Sequence, residues 1–459
     1  MKRALIILVA MLFVVVAVGA AFAAETTFNG QYRIRAFSNW NFDKRPGHLD
    51  SEKGLYTGYF DQRFRLTITH TRSDFLKAVV QFDLVEDTWG QQRNFRINNS
   101  TTGSMVRKAY IEFKLPKIGT FTVGKQPVTL GYGLAFSDSL GNLDGLKWAN
   151  KWGPVGVSAM YFKWNDNVDL GGASEFYNRD ANIWALDLKY TPNENHTIEL
   201  FGGYVKYDAG YPMGHVWTAG IQSRADIGFV GIAYTGEIAD MLTLKAEFSG
   251  IFGHEVFSDK TDAFNGGYNI YLDASYHNDM LRAGLAFVLG SGDTGSRLGD
   301  DKYNMNFIVA DAFSFGNIIA GGYGGGGLND AWVRGLGFAN DIENLTAVKL
   351  YFEVTPMEKL TLNAAVIWAK WTEPVGQATP YSHPVNYYAG GFNSWYDSTT
   401  DLGWEIDLGL KYEIMDGLTY TFAGGVLFTG DSFDYVGLGA THEDWGPIWM
   451  INNVLTYDF

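Results

Sequence analysis

From Trp404 to Ile414 the chain reads W-E-I-D-L-G-L-K-Y-E-I, with Trp404, Ile406, Leu408, Leu410, Tyr412 and Ile414 at the even positions. Between them stand Glu405, Asp407, Gly409, Lys411 and Glu413. Successive side chains of a β-strand point to opposite faces, so a period of two gives one apolar and one polar face. The same alternation sets Phe64, Leu66 and Ile68 against Arg63, Arg65 and Thr67, and Ala78, Val80, Phe82 and Leu84 against Lys77, Gln81 and Asp83. It returns at 109–115, 184–190, 242–248, 281–289, 348–354 and 360–368. Strands of this kind build either a soluble sandwich or barrel with the apolar face inside, or a membrane barrel with that face outside.

The connections decide between the two. Short links at 70–74, 116–119, 192–195, 278–279, 356–358 and 415–417 alternate with long ones near 40–56, 88–104, 127–143, 290–343, 371–401 and 430–446. Short turns at one rim and long loops at the other are how bacterial outer-membrane barrels are built. The expected fold is therefore all-β: a transmembrane antiparallel up-and-down β-barrel of about 18 strands, with short periplasmic turns and long extracellular loops. One stretch resists the count. Segments 216–226, 228–237 and 242–252 would make three strands with two short links, so 228–237 is assigned to a longer periplasmic connection.

Both ends of the chain agree with export to an outer membrane. Lys2 and Arg3 precede an apolar run from Ala4 to about Gly19, followed by Ala21, Phe22 and Ala23, the pattern of a secretory signal peptide cut before Ala24. The expected organisation is a signal peptide at 1–23 and a barrel at 24–459; a retained anchor helix is the alternative. Beyond residue 24 no apolar run reaches the roughly 18 residues that a membrane helix needs. At the other end Trp449, Ile451, Leu455, Tyr457 and Phe459 share one strand face. A terminal Phe on an alternating aromatic strand resembles the signal read by the outer-membrane assembly machinery, which makes Tyr457 and Phe459 the candidate signal residues.

Composition excludes several classes. The 459 residues contain no Cys, so disulfides, thiolate metal sites and Cys nucleophiles are absent. A net charge of −15 argues against nucleic acid, whose phosphates select basic surfaces. The eight His form no H-E-x-x-H motif, and His254-Glu255 and His442-Glu443 read as solvated loop pairs. The G-G-Y-G-G-G-G run at Gly321–Gly327 has no Lys-Ser/Thr after it and reads as a loop rather than a phosphate cradle. Asp293, Asp300, Asp301, Asp431 and Asp434 are loop acids that either hold divalent cations bridging lipopolysaccharide or are simply solvated. No enzyme, cofactor or metal centre is expected.

If the apolar positions face lipid, the intervening ones line water. That puts Arg33, Arg35, Arg63 and Arg65 in the lumen, with Lys77, Lys108, Lys114 and Lys147 beside them. Glu405 and Asp407 face the same space from a strand a few places around the wall. A basic strip opposite acidic groups sets up a transverse field that orients anionic or dipolar solutes. The alternative is that these charges are solvated and paired among themselves.

One further stretch carries a family resemblance. Residues 106–148 contain V-R-K-A-Y-I-E-F-K-L, then V-G-K-Q-P-V-T-L-G-Y-G, then L-D-G-L-K-W, and Ser291-Gly292-Asp293 follows a later strand. The chain resembles the alginate-export family of outer-membrane barrels through Gly124, Lys125 and Gln126, Tyr132 and Gly133, and Asp144, Gly145, Leu146 and Lys147. Lys125 and Lys147 stand where that family has arginine. The resemblance implies an 18-stranded barrel. Together these readings lead to a porin-like channel in a bacterial outer membrane for passive diffusion of small hydrophilic, anionic or sugar-like solutes. The alternative is an exporter of an anionic, alginate-like exopolysaccharide, and an outer-membrane enzyme is the third. Expected partners are outer-membrane lipid and lipopolysaccharide, the assembly machinery and small hydrophilic solutes, with no nucleic acid.

Overall fold

The last strand pairs antiparallel with the first, from Trp40 opposite Trp449 down to Gln31 opposite Asp458. That pairing closes the sheet on itself and leaves no edge. The computed structural model describes residues 24–41, 56–89, 106–138, 143–165, 181–207, 224–256, 262–292, 302–303, 309–310, 313–320, 342, 344–373, 399–433 and 446–459. Eighteen strands make the wall. They are β1 (Glu25–Trp40), β2 (Tyr56–Ser73), β3 (Leu76–Thr88), β4 (Val106–Leu115), β5 (Gly119–Lys125), β6 (Asp144–Trp152), β7 (Val155–Asn165), β8 (Ala181–Asn193) and β9 (His196–Tyr207). The circuit continues through β10 (Arg224–Ala239), β11 (Leu242–Val256), β12 (Tyr268–His277), β13 (Leu281–Gly290), β14 (Leu345–Met357), β15 (Leu360–Trp371), β16 (Asp401–Met415), β17 (Leu418–Thr429) and β18 (Ile448–Asp458). Each is antiparallel to its two neighbours.

Burial is inverted relative to a soluble protein. On β16, Trp404 is 54% and Leu408 57% exposed, while Leu402, Glu405 and Asp407 are buried. On β8, Trp184, Leu186, Leu188 and Tyr190 face outward, and Ile183, Ala185 and Asp187 face in. An apolar belt of this extent is unfavourable in water at about 25 cal/mol per Å² and is satisfied in hydrocarbon, where a closed ladder leaves no backbone group unpaired.

Tight links such as Asp74-Phe75, Pro116 to Ile118, Gly153-Pro154, Asp240-Met241 and Asp416-Gly417 all lie at one rim, together with both ends of the described chain. The long connections all leave the other. This corrects the reading of 228–237, which is no periplasmic connection but the middle of β10; residues 216–223 lie outside the described residues. The alternation there is masked because both faces are apolar. Val230 and Ile232 are exposed on the outside, while Ile227 and Phe229 are buried inside. An apolar residue on the inner face means that something other than water fills the lumen at that height.

That filling comes from two connections expected to be external loops. In the 126–143 connection, Val128–Thr129 pairs with Phe136–Asp138, and Val309–Ala310 from the 291–344 connection runs parallel to Phe136 and Ser137. The result is a three-stranded sheet separate from the barrel wall. Phe136 stacks on Phe229 of β10 at 5.3 Å, with Leu130, Leu143, Ile183 and Ile227 fully buried around it. Gly231 is needed here, because a Cβ on it would overlap the Phe201 ring.

At the seam, the Phe459 amide donates to the Gly30 carbonyl (3.0 Å) and the Gly30 amide donates back (2.8 Å). The Phe459 ring packs against Phe64 at 6.0 Å and Tyr457 at 5.7 Å. Deleting Phe459 removes two of the last bonds closing β18 onto β1. Membrane yield of the deletion is expected to fall severalfold, measured by heat-modifiable migration of the folded fraction; yields equal to wild type would show that the seam does not depend on this residue.

Candidate functional site: a constricted lumen

Two inward segments are fastened to the wall by carboxylates that accept backbone N–H groups. The Gly131 amide donates to Glu199 Oε1 (2.8 Å) and the Tyr132 amide to Glu247 Oε2 (2.5 Å), from β9 and β11. Gly131 has a φ of 57°, so both amides turn toward the same side. The Tyr132 hydroxyl donates to the Tyr234 carbonyl at 3.0 Å, and burial pushes its phenol pKa upward, which keeps it a donor. The second segment, 313–320, repeats the device on β16. Asn317 and Ile318 amides donate to Glu405 Oε1 at 2.8 and 2.7 Å, and the Ile319 amide to Oε2 at 2.8 Å. Asp407 Oδ2 also accepts from the Asn317 amide (3.1 Å), and Lys349 Nζ of β14 donates to the Phe315 carbonyl at 2.6 Å.

The tips of the two segments meet on one tyrosine. Tyr271 of β12 is edge-on to Tyr132 at 5.2 Å and to Phe313 at 5.4 Å. Its hydroxyl and that of Tyr351 both donate to Asp273, at 3.1 and 2.9 Å. A wall tyrosine thus stands in contact with both inward segments inside the lumen.

The remaining arc, β1 to β4, carries the guanidinium groups. Arg33 and Arg63 are opposite one another in register, as are Arg35 and Asp61. Arg35 is held bidentate by Asp61 (Nε at 2.8 Å, Nη2 at 2.5 Å) and lies 4.8 Å over the Phe37 ring. Arg65 and Arg107 converge on Asp83 through Nε at 2.6 and 2.5 Å. Arg63 Nη2 donates to Gln31 Oε1 at 2.7 Å. Two carboxylates, Asp61 and Asp83, thus hold three of the five arginines in fixed orientation.

The sequence-derived candidates are distributed as follows. All ten face inward, but Arg33 and Arg35 are only 8% and 4% exposed, and Glu405 is wholly buried. Glu405 and Asp407 are therefore not a free acidic wall opposite the arginines, because both Glu405 oxygens and Asp407 Oδ2 accept the amides of Asn317, Ile318 and Ile319. Lys77 pairs with Glu112 at 2.9 Å, and Lys114 and Lys147 line a cavity treated below. Arg107 escaped strand parity because the ladder slips by one residue between Gln81 and Phe82, which swings it inward. Phe313, Ile318 and Ile319 sit in a connection with no strand period, and only their apolar character hinted at burial.

The motif residues have structural work. Gln126 is buried and its Nε2 donates to the Thr122, Gly124 and Gly145 carbonyls. Gly124, at a φ of 118°, has the Ala109 carbonyl where a Cβ would go. Together they launch the 126–138 segment into the lumen. His254 lies at the end of β11, not in a loop, edge-on to Phe264 at 5.5 Å. Gly321–Gly327, Asp293, Asp300, Asp301, Asp434 and His442-Glu443 lie outside the described residues.

Comparison with solved structures places this architecture. Over 95% of its length the chain is similar to crystal structures of Pseudomonas aeruginosa OccK3 (OpdO), with 96% of that chain covered, a TM-score of 0.51 and 10% identity. It is likewise similar to Pseudomonas aeruginosa OpdQ (98% of that chain, 0.51, 12%) and to OccK2 (OpdF) in complex with glucuronate (98%, 0.50, 11%). The fold is that of an 18-stranded outer-membrane porin. No protein-family model matches the sequence, nor does any curated protein. At such identities the likeness concerns the fold; it supports a porin-type barrel and lends nothing to the alginate-export resemblance.

The anchoring geometry has a direct consequence. In Glu405→Ala the Ile318 and Ile319 amides lose their acceptor, at about 1–3 kcal/mol for each buried group left unsatisfied, while the Asn317 amide keeps Asp407 Oδ2. Single-channel recordings should show higher conductance and a noisier open level, with Glu405→Gln in between. Traces indistinguishable from wild type would mean that segment 316–319 is held by its apolar contacts alone.

Proposed function

We propose that the chain is an outer-membrane channel through which small hydrophilic anions, carboxylates and sugar acids foremost, diffuse passively. The observation that carries this reading is the arc of Arg33, Arg35, Arg63, Arg65 and Arg107 beside a lumen narrowed by two fastened segments. Guanidinium forks match planar carboxylates, and groups already held by Asp61 and Asp83 lose little freedom when a solute passes. The exposed belt supports membrane insertion, and the glucuronate complex of the similar OccK2 barrel supports a sugar acid as solute. Residues 1–23, outside the described residues, would serve as the export signal, and the long-loop rim would face the exterior. Two inward segments that meet at Tyr271 favour short solutes over an exported polysaccharide. Nothing in this reading calls for covalent chemistry or a cofactor.

Planar bilayers with a salt gradient test it. Wild type is expected to prefer anions, and replacing Arg33, Arg35, Arg63 and Arg65 together with Gln should shift the reversal potential toward cations, more so at low salt. Liposome influx of glucuronate should fall severalfold in that variant while influx of a neutral hexose changes little. An unchanged reversal potential would remove the arginines from the conduction path and the anionic substrate class with them.

A further inference from the structure

Toward the short-turn rim the lumen holds a cavity of about 590 Å³ whose charged lining is almost wholly lysine. Its floor follows from register. Thr120 is opposite Ala149, Ala149 opposite Ser158, and Lys151 opposite Gly156. Three adjacent strands, β5 to β7, thus place small side chains side by side on the inner face, and the wall is hollow there. A Cβ built on Gly156 would meet nothing closer than 3.9 Å.

Around that hollow stand Lys114 of β4, Lys117 of the β4–β5 turn, Lys147 and Lys151 of β6, and Lys189 of β8. The opposing lining charge is Asp187. Lys189 is already committed, at 3.1 Å from Glu199 and 3.9 Å from Asp187. Lys114, Lys117, Lys147 and Lys151 form no ion pair with any described carboxylate. The outward neighbours Leu146, Leu186 and Leu188 face the apolar belt, so the ammonium groups address the lumen and not lipid.

Four cations outside any ion pair, with only Asp187 opposite them in the lining, repel each other around one hollow, and a compact anion with several charges relieves that repulsion at all of them together. The chemistry differs from that of the arginine arc. Ammonium groups are point donors on flexible stems, with no fork to read a planar carboxylate, and they suit the spread oxygens of phosphate groups. We propose that this cavity is a second luminal site, selective for small solutes carrying two or more negative charges on phosphate-type oxyanions. Because the site is open to water, binding is weak and strongly salt-dependent. The proposal rests on the channel reading in one respect only, that the lumen is a solute path.

The test uses inorganic pyrophosphate as probe and the full-length barrel in detergent at low salt, titrated by calorimetry and phosphorus NMR. Lys114→Gln, Lys147→Gln and Lys151→Gln combined should weaken binding at least tenfold. Lys245→Gln, Lys359→Gln and Lys411→Gln combined removes the same charge from elsewhere in the barrel and should bind within twofold of wild type. Heat-modifiable migration verifies folding of both variants. Equal affinity in wild type and the first variant, or equal losses in both variants, would overturn the site. In bilayers, pyrophosphate added at the short-turn side should block current more strongly than from the other side. A barrel that conducts nothing would sink the channel reading, while the binding result in detergent stands or falls independently.

Discussion

Backbone pairing in hydrocarbon is the constraint on which the structure depends. An unpaired amide or carbonyl facing lipid costs several kcal/mol, so the sheet has to close, and it does so where β18 meets β1. Closure fixes an even circuit with both ends at one rim, and it leaves an interior too wide for wall side chains alone to fill. The chain solves the second problem with its own connections. Segments 126–138 and 313–320 bring a small apolar core into the barrel, and the inner face of β10 becomes apolar to receive it.

Bringing backbone into a narrow interior creates a second pairing problem, solved by acids. Glu199, Glu247, Glu405 and Asp407 accept amides that no strand ladder reaches. A carboxylate can take two or more such bonds at once, and each charged bond exceeds a neutral one in strength. Much of the acidity on the inner wall is therefore structural. The basic charge of the inner wall is carried by the arginines oriented by Asp61 and Asp83 and by the lysines near the short-turn rim.

The fold was legible because strand period and link length are local properties. The pattern from Trp404 to Ile414 marks the inner and outer faces of β16, and the short links mark one rim without reference to distant residues. Legibility failed where the lumen is not water. Residues 228–237 lost their alternation to Phe136 and its neighbours, and Arg107 reached Asp83 only through a slip in the ladder. Glu405 and Asp407 were read as facing inward, and they do; their partners lie some 90 positions away, beyond any periodic signal. The arginine group on β1 and β2 was visible as parity, whereas its pairing with Asp61 and Asp83 required the register.

Net charge and local charge point in opposite directions in this molecule, and distance decides which a solute feels. The chain carries −15 overall, yet screening at physiological salt confines a field to about 8 Å, less than two strand spacings of about 4.8 Å. An anion beside Arg33 and Arg63 is therefore governed by their two strands and the next, not by acids across the wall that are already bonded to Asn317, Ile318 and Ile319. The same reasoning holds nearer the other rim, where Lys114, Lys147 and Lys151 sit among neutral small residues. A net acidic composition is therefore compatible with a lumen that is locally basic.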